Sequence, residues 1–450
     1  MDHETTPAEQ FLADNPDIEV IETLLVDING VNRGKWVPPE KLPDVLAGDF
    51  RLPLTAVASD IWGRDVPALC ALTGDGDGIC RPDVRTLTRL PWLERPTAQL
   101  YLELTHEGAP WAWDPRAVLA GLQARFERLG LTPVVAPELE FMLLDTERRP
   151  DGAPQLPVTP FNGQTPVGGQ LFSTDLMQEF AAVLHEIREG CQALDLPLET
   201  LVKELAPGQY EVNLRHVGNA LEAADNAQTM KRLVKGVARR HGYLATFMPK
   251  PFPEQDGNGF HVHVSVVDGA GHNIFDDGTE LGSAALKQAV AGLIETMPEL
   301  MLLFAPHRNS YRRFASGTHV AHAPTWAYED RYVALRVPVG APEARRVEHR
   351  VAGSDANPYL VVAGILAGIL HGLEKKLSPP APAGSGTDVA ATSLPDDWLT
   401  ATRAFEASDL AVEYLGAPFK EAMLAVKQHE QDEFARTVTR LEYDTYLVVA

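Results

Sequence analysis

Apolar and polar positions alternate most clearly in three stretches. IEVIETLLVDINGVNRGKWVP (18–38) reads as two strands around Asn29-Gly30, a dipeptide suited to a tight hairpin turn. TAQLYLELT (97–105) predicts a further strand, and VVAPELEFMLLD (134–145) another. Between them WDPRAVLAGLQARFERLG (113–130) changes to a helical period, with Asp114 as N-cap, Pro115 in the first position and Gly130 at the end. We place a domain boundary near residue 110, which divides the chain into a small unit, 1–110, and a large one, 111–450. In the large unit strands alternate with helical stretches at 176–195, 220–242 and 283–304. YLVVAGILAGIL (359–370) is apolar throughout but shorter than the ~20 residues that span a bilayer, and His371 and GLEKK follow it, so a buried helix is expected. SPPAPAGSG (378–386) predicts a loop.

One strand breaks its own pattern. Side chains alternate along a strand, so in PELEF (137–141) Glu138 and Glu140 share one face while Leu139 and Phe141 share the other. Two like charges on a half-buried face repel, and a buried carboxylate without a partner is costly. A positive charge must come from elsewhere.

Bulk composition narrows the options. The hydrophobic fraction of 45% and charged fraction of 22% are those of an ordinary globular protein, long enough at 450 residues for more than one domain. A net charge of −23, from 62 acidic and 39 basic residues, argues against nucleic acid or an anionic membrane as partner. Cys70, Cys80 and Cys191 form no disulfide framework. Together with an N-terminus, MDHETTPAEQ, that lacks the basic and apolar regions of a signal peptide, this leads us to expect a cytoplasmic protein.

Further segments repeat the oddity of PELEF. KELAPGQYEVNLRH (203–216) sets Glu204 and Glu211 symmetrically about Pro207-Gly208, so a hairpin there would place the two carboxylates opposite each other. GNGFHVHVS (257–265) puts His261 and His263 on one strand face behind glycines that allow close approach to a ligand. RRVEHR (345–350) places Glu348 and Arg350 on one face, and NSYRR (309–313) adds cations. Singly, each E-x-E or H-x-H is more often a solvated face or a satisfied core pair. Jointly, five glutamates and an imidazole make a donor set suited to Mg²⁺ or Mn²⁺, beside arginines shaped for phosphate or carboxylate.

In this order PELEF, KELAPGQYEV, ATFMPKPF (245–252), GNGFHVH, NSYRRF and RRVEHR…NPYL resemble the signatures of the glutamine synthetase family, and DINGVNRGKWVP extends the likeness almost to the start. The chain looks most like the γ-glutamylpolyamine synthetase branch, which joins glutamate to amines other than ammonia. The resemblance implies an α+β protein, with a small β-grasp-like N-terminal domain and a large catalytic domain built on a curved antiparallel sheet with helices. It also implies a homo-oligomer, a dodecamer of two stacked rings with active sites between subunits, using ATP, L-glutamate, an amine and two or more Mg²⁺ or Mn²⁺ ions.

By the same resemblance Glu140, Glu204 and Glu211 hold one metal, and Glu138, His261 and Glu348 the other. Arg313 and Arg350 fall to glutamate or its acyl phosphate, with Gly257 and His261 beside them; Arg331, Arg336 and Arg346 fall to ATP phosphates, and Glu199, His263 and Ser265 to the nucleotide. Any one of these arginines could instead be a surface ion-pair member. Asp60 and Asp77 match aspartates that complete a neighbouring subunit's site and help deprotonate the amine. The Asp77 segment, TGDGDG, is no calcium loop, because position twelve from Asp75 is Thr86 rather than glutamate.

Departures from the family pattern refine the expectation. Where ammonia-using members carry an ammonium-binding glutamate after N-S-Y-x-R, this chain has His319, which offers no fixed negative charge but can accept a proton from an attacking amine. His319, with His322 nearby, is therefore expected to line the pocket of a primary amine. Asp256 stands where the glycine-rich turn often has asparagine, and no tyrosine lies between Tyr359 and Tyr414, where adenylylated members carry theirs. The competing readings are an ammonia-using glutamine synthetase and a non-catalytic nitrogen sensor, although all six metal positions hold competent ligands.

Overall fold

The computed structural model describes residues 6–314, 320–384 and 393–450. Its first sheet has seven strands: β1 (Val20–Val26), β2 (Asn32–Val37), β3 (Arg51–Pro53), β4 (Asp77–Pro82), β5 (Thr88–Arg89), β6 (Thr97–His106) and β7 (Ala109–Pro110). They run in the order β2-β1-β6-β4-β3, with β5 and β7 also paired to β6. The predicted hairpin is β1–β2, with Val26 opposite Asn32 and Gly30 in the left-handed region at φ 73° that favours glycine. β1 lies parallel to β6 at the centre of this mixed sheet, consistent with the grasp-like expectation.

The second sheet has eight strands: β8 (Leu131–Asp145), β9 (Leu198–Lys203), β10 (Gln209–Leu214), β11 (Tyr243–Thr246), β12 (Phe260–Asp268), β13 (Trp326–Tyr328), β14 (Leu335–Val337) and β15 (Val347–His349). Their order is β13-β14-β15-β12-β8-β10-β9, with β11 also on β8, and only β13–β14 is parallel. The helices Pro115–Arg128, Ala220–Arg240 and Pro358–Lys375 pack together over one face of this sheet. Leu139 and Phe141 of β8 point into that core and are fully buried. Their neighbours Glu138 and Glu140 therefore face the opposite side.

The apolar stretch at 359–370 is a buried helix, as its pattern predicts, with every residue from Pro358 to Gly372 buried. It crosses the Ala284–Thr296 helix so closely that a Cβ on Gly292 would meet the carbonyl oxygen of Gly368 at 2.1 Å. Asp114 caps the Pro115–Arg128 helix by accepting from the Arg116 amide, and that helix ends at Leu129 and the left-handed Gly130. Among the described residues no helix is long and apolar enough to cross a membrane.

Two predicted helices are broken. The stretch 176–195 divides into Thr174–Met177, a 3₁₀ turn at Gln178–Phe180 and Ala181–Ala193. Phe180 leaves the helical region at φ −127°, and its buried ring packs edge-on to Tyr243 and Tyr210. The stretch 283–304 stops at Thr296 and resumes as Met301–Phe304, because Pro298 cannot donate the amide hydrogen bond that would continue the helix.

Candidate active site

The sheet register brings the unusual polar residues together. Glu211 of β10 is the direct partner of Glu140 on β8, and Glu138 of β8 is the partner of His261 on β12. One strand further, His263 of β12 pairs with Glu348 of β15, and Glu348 pairs with Arg336 of β14. All seven line one cavity of about 670 Å³, together with Glu204, Gly257, Arg313, Arg331, Arg346 and Arg350. Two sets of ligand atoms each lie within 4.8 Å of one another: Glu138, His261 and Glu348, and Glu140, Glu211 and His261.

Hydrogen bonds orient these groups. Glu138 receives His263 Nε2 at 2.8 Å, and the other ring nitrogen of His263 accepts from Arg346 Nε at 3.0 Å, so the ring proton resides on Nε2. Glu138 also lies 3.6 Å from His261 Nδ1. Arg336 donates to Glu348 at 2.9 Å, and Arg350 holds the other oxygen of the same carboxylate. Glu140 accepts from the Gly259 amide and from Gln209 Nε2, both at 2.9 Å. A side chain at 259 would strike His261 Nε2 at 2.9 Å, so glycine is needed for the backbone to come this close.

Electrostatics divides the cavity. Burial, reinforced by Glu204, pushes Glu140 up to about 8. Burial, with Glu138 and Glu140 nearby, takes Glu211 to about 8, and burial beside Glu211 takes Glu204 to about 7. Burial also opposes ionisation of Glu138, but hydrogen bonds from His261 and His263 outweigh it and hold this carboxyl well below its usual range. Glu348 is held low in the same way, with Arg350 the chief opposing charge. The donor set of carboxylate oxygens and an imidazole nitrogen, with burial and like charge both acting against ionisation of Glu140, Glu204 and Glu211, fits hard divalent cations.

Residues 112–446 match the family model described as glutamine synthetase, catalytic domain. The chain belongs to the glutamine synthetase family. It is similar to the gamma-glutamylputrescine synthetase of Escherichia coli strain K12, with 39% identity over 447 residues that cover 98% of this chain and 94% of the relative. It is also similar to a glutamate–isopropylamine ligase from a Pseudomonas species, at 33% identity over 381 residues covering 81% of this chain and 80% of the relative. Among solved structures, a chain described as a GmaS/ADP complex aligns with a TM-score of 0.84 and 31% identity, covering 99% of this chain and 100% of that one.

Measured against the family expectations, the residues fall into three groups. Most of the metal, glutamate and phosphate candidates line the cavity, as above. Glu199, Ser265, Asp60, Asp77 and His322 are not among its lining residues, and His319 lies outside the described residues. Asp60 is fully buried and committed to its own loop: it accepts from the amides of Trp62 and Arg64 and from Arg64 Nε, at 2.8 to 3.0 Å. Asp77 is exposed on β4, opposite Pro53.

The Glu204–Glu211 hairpin also differs from its expected register. Lys203 pairs with Tyr210 and Val202 with Glu211, and the Glu204 amide donates to Gln209 O, so the two glutamates are diagonal rather than opposite. The turn closes early because Gln209 exchanges bonds with Ala206, through its amide to Ala206 O and from Ala206 N to its own Oε1. Lys203 Nζ ties down the same turn through the carbonyls of Glu204 and Ala206, at 2.6 and 2.8 Å.

Several lining residues carried no sequence signal. Gln209 is buried with its amide directed at Glu140, Gly257 O and Asn258 Oδ1. Leu171, Phe172, Leu205, Val320 and Tyr332 reach the cavity from irregular segments, where no periodicity marks the inward side.

Proposed function

We propose that the chain is an ATP-dependent ligase joining the γ-carboxylate of L-glutamate to a primary amine, such as putrescine, spermine or ethanolamine, through γ-glutamyl phosphate. The observation that carries this reading is the single sheet face on which carboxylate–imidazole clusters adjoin five cavity-lining arginines. Family membership supports ATP and glutamate as partners, and the names of the putrescine and isopropylamine relatives support an organic amine over ammonium.

Two divalent cations, Mg²⁺ or Mn²⁺, would be held by Glu138, His261 and Glu348 and by Glu140 and Glu211, with Glu204 close by. When bound, such ions neutralise and align phosphate and carboxylate oxygens. Arg313 and Arg350 would bind glutamate and its acyl phosphate, with Gly257 alongside, while Arg331, Arg336 and Arg346 would bind ATP phosphates and His263 would orient Glu138. The phosphoryl group passes from ATP to the γ-carboxylate, the amine nitrogen attacks the acyl carbon, phosphate leaves, and the amine gives up a proton, for which His319 is our candidate acceptor. The same reading divides the chain near residue 110 and makes it a cytoplasmic homo-oligomer, a dodecamer in which Asp77 serves a neighbouring copy, while the buried Asp60 acts there only by shaping the loop that carries Trp62 and Arg64.

Phosphate release from ATP and glutamate, measured with ammonium, putrescine, spermine, ethanolamine and methylamine, tests the proposal. Turnover with one or more of the organic amines is expected. Turnover with ammonium alone would make the chain an ordinary glutamine synthetase, and ligand binding without any ADP formation would make it a sensor.

A further inference from the structure

We propose that Leu171 and Phe172 form the wall that receives the hydrocarbon part of the amine substrate, and so set which amines are used. The inference rests on the ligase reading above. It begins with the distribution of chemistry along the sheet. Arg336, Arg346 and Arg350 belong to or flank β14 and β15, towards one end of the strand order, where they surround Glu348, while Glu138, Glu140 and Glu211 occupy β8 and β10. Towards the other end, around β9 and β10, Val202, Leu205, Leu171 and Phe172 form an apolar part of the lining beside the polar Glu204, Gln209, Glu211 and Asn213.

An alkylammonium is a cation on a hydrocarbon body. The arginines repel its head and suit the anionic substrates, whereas the apolar part offers contact for the methylenes beside the carboxylate of Glu204. Leu171 and Phe172 line the cavity yet remain 45% and 57% exposed, an apolar surface that the chain itself leaves uncovered.

The loop is built to hold them there. Phe172 has φ 62°, a left-handed conformation that is rare for a bulky residue and costs energy. Its amide donates to Lys203 O at 2.9 Å, which fixes it to the end of β9. Gly169 lies so close to the strand that a Cβ there would sit 1.2 Å from Leu205 O. Lys203 in turn braces the turn that carries Leu205. A strained aromatic held by these contacts at a cavity wall is a specificity element rather than a loose surface residue.

The test compares kcat/KM for straight-chain amines from methylamine to hexylamine in the full-length enzyme and in Leu171→Ala, Phe172→Gly and Phe172→Leu. Glycine suits the backbone at 172, so the chain should still fold, and leucine restores an apolar side chain. In the native enzyme each methylene that reaches the wall should raise kcat/KM by roughly fourfold, the gain for burying one CH₂. Phe172→Gly and Leu171→Ala should flatten that slope, and Phe172→Leu should restore most of it, with the change in KM for the amine rather than for ATP. An unchanged slope in the first two variants would overturn the assignment. So would a loss of assembly size by mass photometry with the slope intact, which would make the patch a subunit contact. If the native enzyme uses ammonium alone, the ligase reading falls and this inference falls with it; if amines are used but the slope is unaffected, only this inference falls.

Discussion

Glu211 on β10 stands directly across from Glu140 on β8, so two buried carboxyls face each other in adjacent strands. Both are raised from about 4.5 to about 8. A carboxyl whose folded value is raised binds protons in the native state that the unfolded state has released. Its stabilising effect is complete below the unfolded value and disappears as pH rises through the folded one. In chelator-treated protein these two groups, with Glu204, should therefore lower thermal stability as pH rises from about 4.5 to about 8. Glu138 and Glu348 act in the opposite sense, losing their contribution only in acid. Added Mg²⁺ or Mn²⁺ should raise Tm more at pH 8.5 than at pH 6 in scanning fluorimetry. Equal gains at both pH values would mean that the glutamate cluster is not what the cation relieves.

Replacing one member of the pair should separate stability from activity. In Glu211→Gln the amide oxygen can still accept from Asn213 Nδ2, now found at 3.1 Å, while one negative charge is removed. The metal-free variant should melt higher than the metal-free native protein at pH 8 and show a flatter pH profile. Its ligase activity should fall at least ~100-fold, since partners that merely support a metal ligand already cost ~10–100-fold when lost. A variant that melts lower without metal would show that the two carboxyls do not repel as the register implies.

Glu348 is held by two guanidinium groups, Arg336 at 2.9 Å and Arg350 on the other oxygen. Arg336→Lys keeps the charge but replaces a planar fork with a point donor, so the carboxylate loses its fixed orientation. We expect Mn²⁺ affinity, read by calorimetry or electron paramagnetic resonance, to weaken ~10-fold or more, with a matching rise in KM for ATP. A change in ATP affinity with Mn²⁺ binding intact would confine Arg336 to the phosphates.

Much of this site was legible because strands expose it. Alternation in PELEF, FHVH and RRVEHR places Glu138, Glu140, His261, His263 and Glu348 on their faces, and the register then sets Glu211 across from Glu140 and Glu348 across from His263. Alternation says nothing about where a turn closes, so the side-chain bond from Ala206 to Gln209, which makes Glu204 diagonal to Glu211, was beyond reach. The helix break at Phe180 depends on Tyr210 and Tyr243, thirty or more residues away, whereas the break near Pro298 was written in the residue itself. Leu171 and Phe172 belong to an irregular segment, and only tertiary contacts with β9 give them a direction.

The hairpin turn that Asn29 announces has a second task that no turn rule predicts. Asn29 Nδ2 donates to Glu430 Oε1 at 2.9 Å and to Ser59 O at 3.1 Å, and Lys427 donates to both Asn29 and Glu430. Lys427 and Glu430 are wholly buried on the Ala417–Arg436 helix, where they join the far end of the chain to the first sheet. Lys427→Met leaves the Glu430 charge without its cation in a dry interior and should cost about 3–5 kcal/mol in denaturant unfolding. Adding Glu430→Leu removes that orphaned charge and should recover part of the loss. Recovery should be incomplete, because the Ile61 amide, which donates to Glu430 at 2.8 Å, and the Asn29 amide then lose their acceptor. A double variant no more stable than Lys427→Met alone would mean that the loss does not come from an orphaned Glu430 charge but from the other bonds of the cluster, such as that from Lys427 to Asn29.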